Sequence, residues 1–324
     1  MHLVERIGNW LQRAAGRAGD RHASPEQFSE LLASLVVMAW FVEARDPYTG
    51  GHLWRVSRYA QLLAESGGLD PADVARISLG GFLHDLGKIG VPDAILRKAD
   101  RLTDEEYAVI KTHPDTGLRM LAGHPLAELV REAVQLHHER PDGLGYPLGL
   151  RGDAIPLAAR LVGICDAFDA MTSHRPYRAG MTIERSLAIL NEFAGRQFDA
   201  AWTTRFIALG RSGALAHVQG HSDEGIPLQN CPMCGPTLVV RREQQPGEQI
   251  YCRQCGGEFV LKEGDGRPVA TPTGRHGTPR DLEPIADHAL IARAVDAAVQ
   301  AMPLAALRRA AVSVVAATPG GGRA

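Results

Sequence analysis

Residues 84–88 read His84-Asp85-Leu86-Gly87-Lys88, and the imidazole and carboxylate set side by side there govern the reading of the whole chain. Neighbouring helix positions point about 100° apart, so His84 and Asp85 serve a single cation only with difficulty. They fit two cations lying side by side, with Asp85 as the bridging carboxylate. The remaining donors lie on either side in the sequence: His52 in Thr49-Gly50-Gly51-His52, then His113, the pair His137-His138 ahead of Glu139, and Asp166. Imidazoles and carboxylates together form the donor set of divalent transition metals. One such His taken alone reads better as a helix cap or a satisfied core residue; the full set, with its two adjacent pairs, reads as a metal centre. Two cations about 3.5–4 Å apart clamp a phosphoryl group for in-line displacement. Lys88 lies on the face of His84 if the helix continues that far, and offers a point charge to a phosphate oxygen.

Around these residues the signals are helical. Ser24, Pro25 and Gln27 form a cap, a first-turn proline and a capping-box partner before an apolar stretch ending near Arg45. Further helices are expected over 51–66, from Asp70-Pro71 to Gly87, from Thr103 with Glu106, and over 125–139, 156–172, 182–193 and 199–209. No run of alternating strands interrupts them, so the first 210 residues read as all-α.

The chain has 324 residues, enough for one large and one smaller domain. A formal net charge of -2 gives no broad nucleic-acid footprint, so a phosphate site must be built locally. Met1 to Gly19 mixes Glu5, Arg6, Arg13 and Arg17 among apolar residues, unlike a secretory signal, and the run Leu31 to Val42 is too short to span a bilayer. A cytoplasmic protein is expected.

Four of the five cysteines form two C-x-x-C knuckles, Cys231-Pro232-Met233-Cys234 and Cys252-Arg253-Gln254-Cys255. That spacing matches a tetrahedral structural zinc site and resembles a zinc ribbon. Short β-like pieces, 238–240 and 259–261, accompany it. The expected organisation is an N-terminal amphipathic helix over 1–22, a helical domain over 23–212, a linker over 213–229, the zinc ribbon over 230–264, a disordered linker over 265–283 rich in Gly, Pro, Thr and Arg, and a helical segment over 284–316. The stripe Ile291, Val295, Val299 on that last segment is expected to pack against residues 1–21 or a second copy of the chain in a homodimer.

Four segments together resemble the HD-GYP family: Arg45-Asp46-Pro47-Tyr48-Thr49-Gly50-Gly51-His52; His84-Asp85-x-Gly87-Lys88; His137-His138-Glu139-x-x-Asp142-Gly143-x-Gly145-Tyr146-Pro147; and 166–173 followed by Arg175-Pro176-Tyr177-Arg178. The resemblance covers roughly residues 25 to 210. It implies an all-α HD fold with an iron or manganese centre that hydrolyses cyclic di-GMP to linear pGpG or GMP. His52, His84, Asp85 and Asp166 would hold one metal, and Asp85 would bridge to a second held by His113, His137 and His138. Lys88 and Asp85 would act in catalysis, Arg175 and Arg178 on the nucleotide phosphates, and Gly143, Gly145, Tyr146 and Pro147 in a loop lining the site. Some members carry an acidic residue where this chain has Tyr48, and hold a third metal; its absence implies two. Asp169, one turn from Asp166, would support the ligands. Two other readings stay open: an HD hydrolase acting on another nucleotide, and a silent receptor or scaffold with a diguanylate cyclase as partner.

Overall fold

The computed structural model describes residues 25–46, 49–98, 100–174, 178–235, 237–264, 267–303 and 307. The expected helix over 1–22, the cap at Ser24, Tyr48, Arg175, and residues 304–306 and 308–316 of the last helical segment lie outside them.

Among the described residues, ten α-helices come first: α1 (Pro25–Glu43), α2 (His52–Ser66), α3 (Pro71–Leu83), α4 (Asp93–Leu96), α5 (Asp104–Ile110), α6 (His113–Leu121), α7 (Arg131–Leu136), α8 (Leu157–Thr172), α9 (Ile183–Phe193) and α10 (Ala200–Arg211). Their starts are set chemically. Asp70 accepts from the amides of Ala72 and Asp73 ahead of Pro71, and Thr103 and Glu106 form the reciprocal capping box. Asp199 caps α10 through the Trp202 amide.

Two apolar clusters hold the helices together. Phe28, Leu32, Leu35, Val36 and Ala39 of α1 pack with Leu53, Phe82 and Leu83 in one; Tyr59, Phe168 and Phe206 meet edge-on in the other. Helices α2, α3 and α7 contribute to both, and it is these shared helices that carry His52, His84 and His137 at their ends.

Several expectations are corrected. Helix α3 does not run to Gly87: it ends at Leu83, and Leu86–Gly90 is a 3₁₀ turn. A Cβ on Gly87 would lie 1.8 Å from the carbonyl oxygen of His113, so the chain there is pressed directly against the start of α6. The carbonyls this geometry frees are taken by Arg45, whose guanidinium donates to Lys88, Ile89 and Val91. The stretch 125–139 is likewise not one helix but a 3₁₀ turn at Ala127–Leu129 followed by the short α7.

The expected linker over 213–229 is packed. Leu215 and Val218 are fully buried in the second cluster, and β1 (His221–Asp223) and β2 (Ile226–Pro227) form a hairpin whose His221 carbonyl accepts from Arg55. Beyond it, β3 (Gln229–Asn230) pairs with β4 (Thr237–Leu238), and β5 (Gln249–Tyr251), β6 (Gly257–Lys262) and β7 (Val269–His276) form an antiparallel sheet. Strand β7 forms within the segment expected to be disordered, over eight of its residues. Its polar composition hid it, yet its backbone pairs along β6, and Arg275 and Thr273 bind Glu258.

The last described helix, α11 (His288–Ala301), buries Leu290, Ile291 and Val295 against α1 and α3; residues 1–21, one of its two expected partners, lie outside the described residues. Buried Asp223 joins these parts: Arg242 donates to it from the cysteine unit at 3.1 Å and Arg293 from α11. No helix among the described residues is long and apolar enough to cross a membrane.

Candidate metal centre

Four histidines are oriented by the same device. Nδ1 of His84 faces the Gly81 carbonyl at 2.7 Å, Nδ1 of His113 the Ile110 carbonyl at 2.8 Å, and Nδ1 of His137 the Ala133 carbonyl at 2.8 Å. Nδ1 of His52 faces Asp169 Oδ2 at 2.8 Å. Carbonyls and carboxylates only accept, so each Nδ1 carries a proton, which leaves Nε2 as the nitrogen able to offer a lone pair to a metal. Those lone pairs converge: His52 Nε2 lies 3.3 Å from His84 Nε2, and His113 Nε2 lies 3.2 Å from His137 Nε2. Two acceptors facing each other repel unless a cation lies between them. Ligands held about 2.1 Å from one ion are separated by roughly 3.0–3.4 Å, the spacing observed here.

The donors form two groups, His52 with His84 and Asp85, and His113 with His137 and His138. Asp85 spans them: its Oδ2 is 3.5 Å from His52 Nε2 and 3.4 Å from His84 Nε2, and its Oδ1 is 3.4 Å from His113 Nε2. Asp166 joins the first group, with Oδ1 3.5 Å from His52 Nε2 and 3.6 Å from His84 Nε2. The residues present therefore fit a pair of divalent ions.

Electrostatics agree with that use. Burial works to keep the Asp85 carboxyl protonated, but the charges of Lys88 and His84 overcome it and hold its pKa well below the usual range. Asp166 is depressed as well, burial being outweighed by the hydrogen bond and charge of His84. Burial lowers the imidazoles of His113 and His137, and takes that of His138 to about 3. His52 is the exception: hydrogen bonds with Asp169 and Asp85 overcome its burial and raise it to about 9, so without an ion its ring is protonated and a metal at Nε2 takes the place of that proton. Anionic carboxylates beside neutral second-group imidazoles are the ligating forms.

Two further residues support the centre and were not legible as such. Arg55, fully buried, donates to both oxygens of Asp169 at 2.6 and 3.0 Å and so fixes the carboxylate that holds His52. Its spacing of three residues from His52 on a helix was the available signal. Glu139 is buried, and its carboxylate accepts the amides of Leu148, Gly149 and Leu150, pinning the far side of the Gly143–Pro147 loop.

Lys88 Nζ donates to Asp85 Oδ2 at 2.5 Å, brought there by the 3₁₀ turn. The ring of Tyr146 stacks on His138, centroids 4.7 Å apart, and Gly145 lies so close to the backbone that a Cβ would meet the Arg140 amide nitrogen at 2.4 Å. Gly143 turns the chain at φ 76°, and Pro147 follows Tyr146 through a cis peptide. Arg178 is not brought to the metal groups: its guanidinium donates to the carbonyls of Ala170 and Met171 at the end of α8. Cys165 is buried in the apolar cluster.

The four knuckle cysteines converge separately. The Cys231–Cys234, Cys234–Cys252 and Cys231–Cys255 sulfur distances are 3.6, 3.5 and 3.8 Å. A disulfide requires about 2.05 Å, whereas the edges of a tetrahedron with 2.3 Å metal–sulfur bonds are about 3.8 Å. These thiols thus fit a tetrahedral ion. Arg253 of the second knuckle donates to the Ala44 carbonyl at the end of α1, so the unit is fastened to the segment leading to His52.

Comparison with known proteins gives consistent relatives. The cyclic di-GMP phosphodiesterase response regulator RpfG of Xanthomonas campestris pv. campestris is 43% identical over 164 residues, covering 50% of this chain and 43% of that protein. A cyclic di-GMP phosphodiesterase of Vibrio cholerae is 37% identical over 194 residues, 54% of this chain and 39% of that protein. The 3'3'-cGAMP-specific phosphodiesterase 3 of the same organism is 41% identical over 152 residues, 47% of this chain and 33% of that protein. The chain thus spans less than half the length of these curated relatives. The pattern of the HD domain family matches residues 36–202, the region that carries every imidazole and carboxylate of the two metal groups. The chain belongs to the HD domain family.

Proposed function

We propose that this chain is a metal-dependent phosphodiesterase that hydrolyses cyclic di-GMP to linear pGpG, GMP or both, as part of second-messenger signalling. The observation that carries the reading is Asp85, whose two oxygens reach two separate groups of inward-facing Nε2 atoms. His52, His84, Asp85 and Asp166 would hold one ion, Asp85, His113, His137 and His138 the other, with iron or manganese suited to this donor set. Such a pair supplies Lewis acidity and an activated water at neutral pH.

The chain's own residues do the rest. Lys88 Nζ lies against Asp85 and meets a non-bridging phosphate oxygen as a point charge. Asp169 and Arg55 keep the His52 ring aimed inward. The Gly143–Pro147 loop walls the site, with Tyr146 held on His138. The guanidinium of Arg175, and that of Arg178 once released from α8, bind the nucleotide phosphates. The cysteine unit holds a structural zinc on its four thiolates, a use of cysteine that suits the reducing cytoplasm.

A mixed substrate is a second reading, because one relative bears the name of a 3'3'-cGAMP-specific enzyme. One experiment separates the two. Anaerobically purified chain is incubated with cyclic di-GMP and with 3'3'-cGAMP, and products and bound metal are measured together. The expected outcome is linear pGpG with two ions at the histidine groups, and no product from a His84→Ala/Asp85→Ala variant. Full turnover by that variant overturns the assignment.

A further inference from the structure

A cleft of about 450 Å³ opens directly off the second metal group, with His137, His138 and Asp166 in its wall. Two larger cavities, of about 570 Å³ along α11 and about 520 Å³ beneath the cysteine unit, include none of the metal-group residues in theirs. A phosphate held at the ion pair would therefore direct one nucleoside into the cleft beside His138.

The walls suit a flat heteroaromatic ring. Ala159, Gly163 and Ala167 fall at successive turns of α8 and leave the floor open, while Tyr146 and Phe198 supply aromatic surface. The Tyr146 ring is already fixed by its stack on His138, so it presents its surface without further ordering. Base–aromatic stacking tolerates any base, so it cannot by itself choose one.

The choice needs polar groups, and Lys111 provides one. It is exposed, lines the cleft, and has its ammonium 5.3 Å from the centroid of the Tyr107 ring, which lines it too. An ammonium only donates. Guanine presents the acceptors O6 and N7 on one edge, whereas adenine offers a donor amino group in place of O6. Gln197, in the same wall, can both donate and accept.

We propose that this cleft is the base pocket of the substrate nucleotide and that Lys111 makes it select guanine over adenine. The inference rests on the phosphodiesterase reading for the presence of a nucleotide, and adds the residue that sets its identity.

The test uses the full metal-loaded chain and two mononucleotide probes, GMP and AMP, in equilibrium binding by calorimetry, with wild type and Lys111→Met side by side. GMP is expected to bind wild type about tenfold more tightly than AMP, and the preference to collapse to about twofold or less in Lys111→Met at unchanged metal content. Equal binding of the two probes by wild type, or a preference undiminished in the variant, overturns the proposal. Cleavage of cyclic di-GMP is measured in parallel. Cleavage together with equal probe binding sinks the base pocket alone. A Lys111-dependent GMP preference without cleavage sinks the hydrolytic reading and leaves the pocket standing.

Discussion

Asp169 Oδ2 lies 2.8 Å from His52 Nδ1, and through that contact a buried carboxylate on α8 sets the ring orientation of a histidine on α2. The same carboxylate is held by Arg55, so three buried residues fix one another. Replacing Asp169 by Asn leaves a guanidinium without its counter-charge, which costs on the order of 3–5 kcal/mol in a buried pair. It also replaces the charged acceptor that fixes the His52 tautomer by a neutral amide with only one accepting end, for which a loss of about 10–100-fold in metal affinity is expected. Metal titration of Asp169→Asn against wild type checks this; unchanged affinity would show that His52 needs no orienting partner.

Gly87 has no room for a side chain. With the His113 carbonyl 1.8 Å from the position of a Cβ, Gly87→Ala must push the 3₁₀ turn off α6 and separate Asp85 from His113. Destabilisation of about 4 kcal/mol or more is expected, the range reserved for backbone collisions. Urea denaturation of the variant gives the answer, and a change below about 1 kcal/mol would mean the two segments are not in contact.

Glu139 accepts three successive amides with two oxygens. Glu139→Gln turns one oxygen into a donor facing N–H groups, at a cost of about 1–3 kcal/mol. Amide exchange at Leu148, Gly149 and Leu150 should accelerate while that of α1 stays slow. Unaltered exchange at those three positions would contradict the anchoring role.

Much of the candidate centre was legible because residues suited to hold a metal are titratable, and such residues stand out in sequence, as His84-Asp85 and His137-His138 do. The supports were less visible. Arg55 and Glu139 look like ordinary surface charges until burial is known, and only the fold reveals that their partners lie over a hundred residues away or on backbone amides. Strand β7 was hidden for a related reason: its stability comes from main-chain pairing with β6, to which composition is blind. The end of α3 was misplaced because the 3₁₀ turn depends on Arg45 collecting carbonyls from another segment.

His124 supplies a pH dependence away from the metal groups. It is buried, accepts the Leu126 amide at Nδ1, and lies 3.0 Å from the Ser34 hydroxyl, which itself donates to Leu31. The ring is therefore neutral, and burial lowers its pKa to about 4 from an ordinary 6.5. Because the unfolded chain takes up this proton first, stability falls as pH drops from about 6.5 towards 4 and levels off below, by a few kcal/mol in all. His124→Asn, which retains an acceptor and a donor, should flatten that slope in metal-free protein followed by denaturant titration. An equally steep decline in the variant would place its cause elsewhere.

Arg242 and Arg293 reach Asp223 from the cysteine unit and from α11, and the neighbouring His221 carbonyl accepts from the Arg55 guanidinium behind His52. A protein trimmed after residue 212 would thus lose more than an appendage, since it strips a cap from the inner scaffold of the helical half. Losing one of the two arginines alone leaves the other still clasping the hairpin. The tail behaves as a buckle with a spare prong, and dissection of this chain into working pieces should begin beyond it.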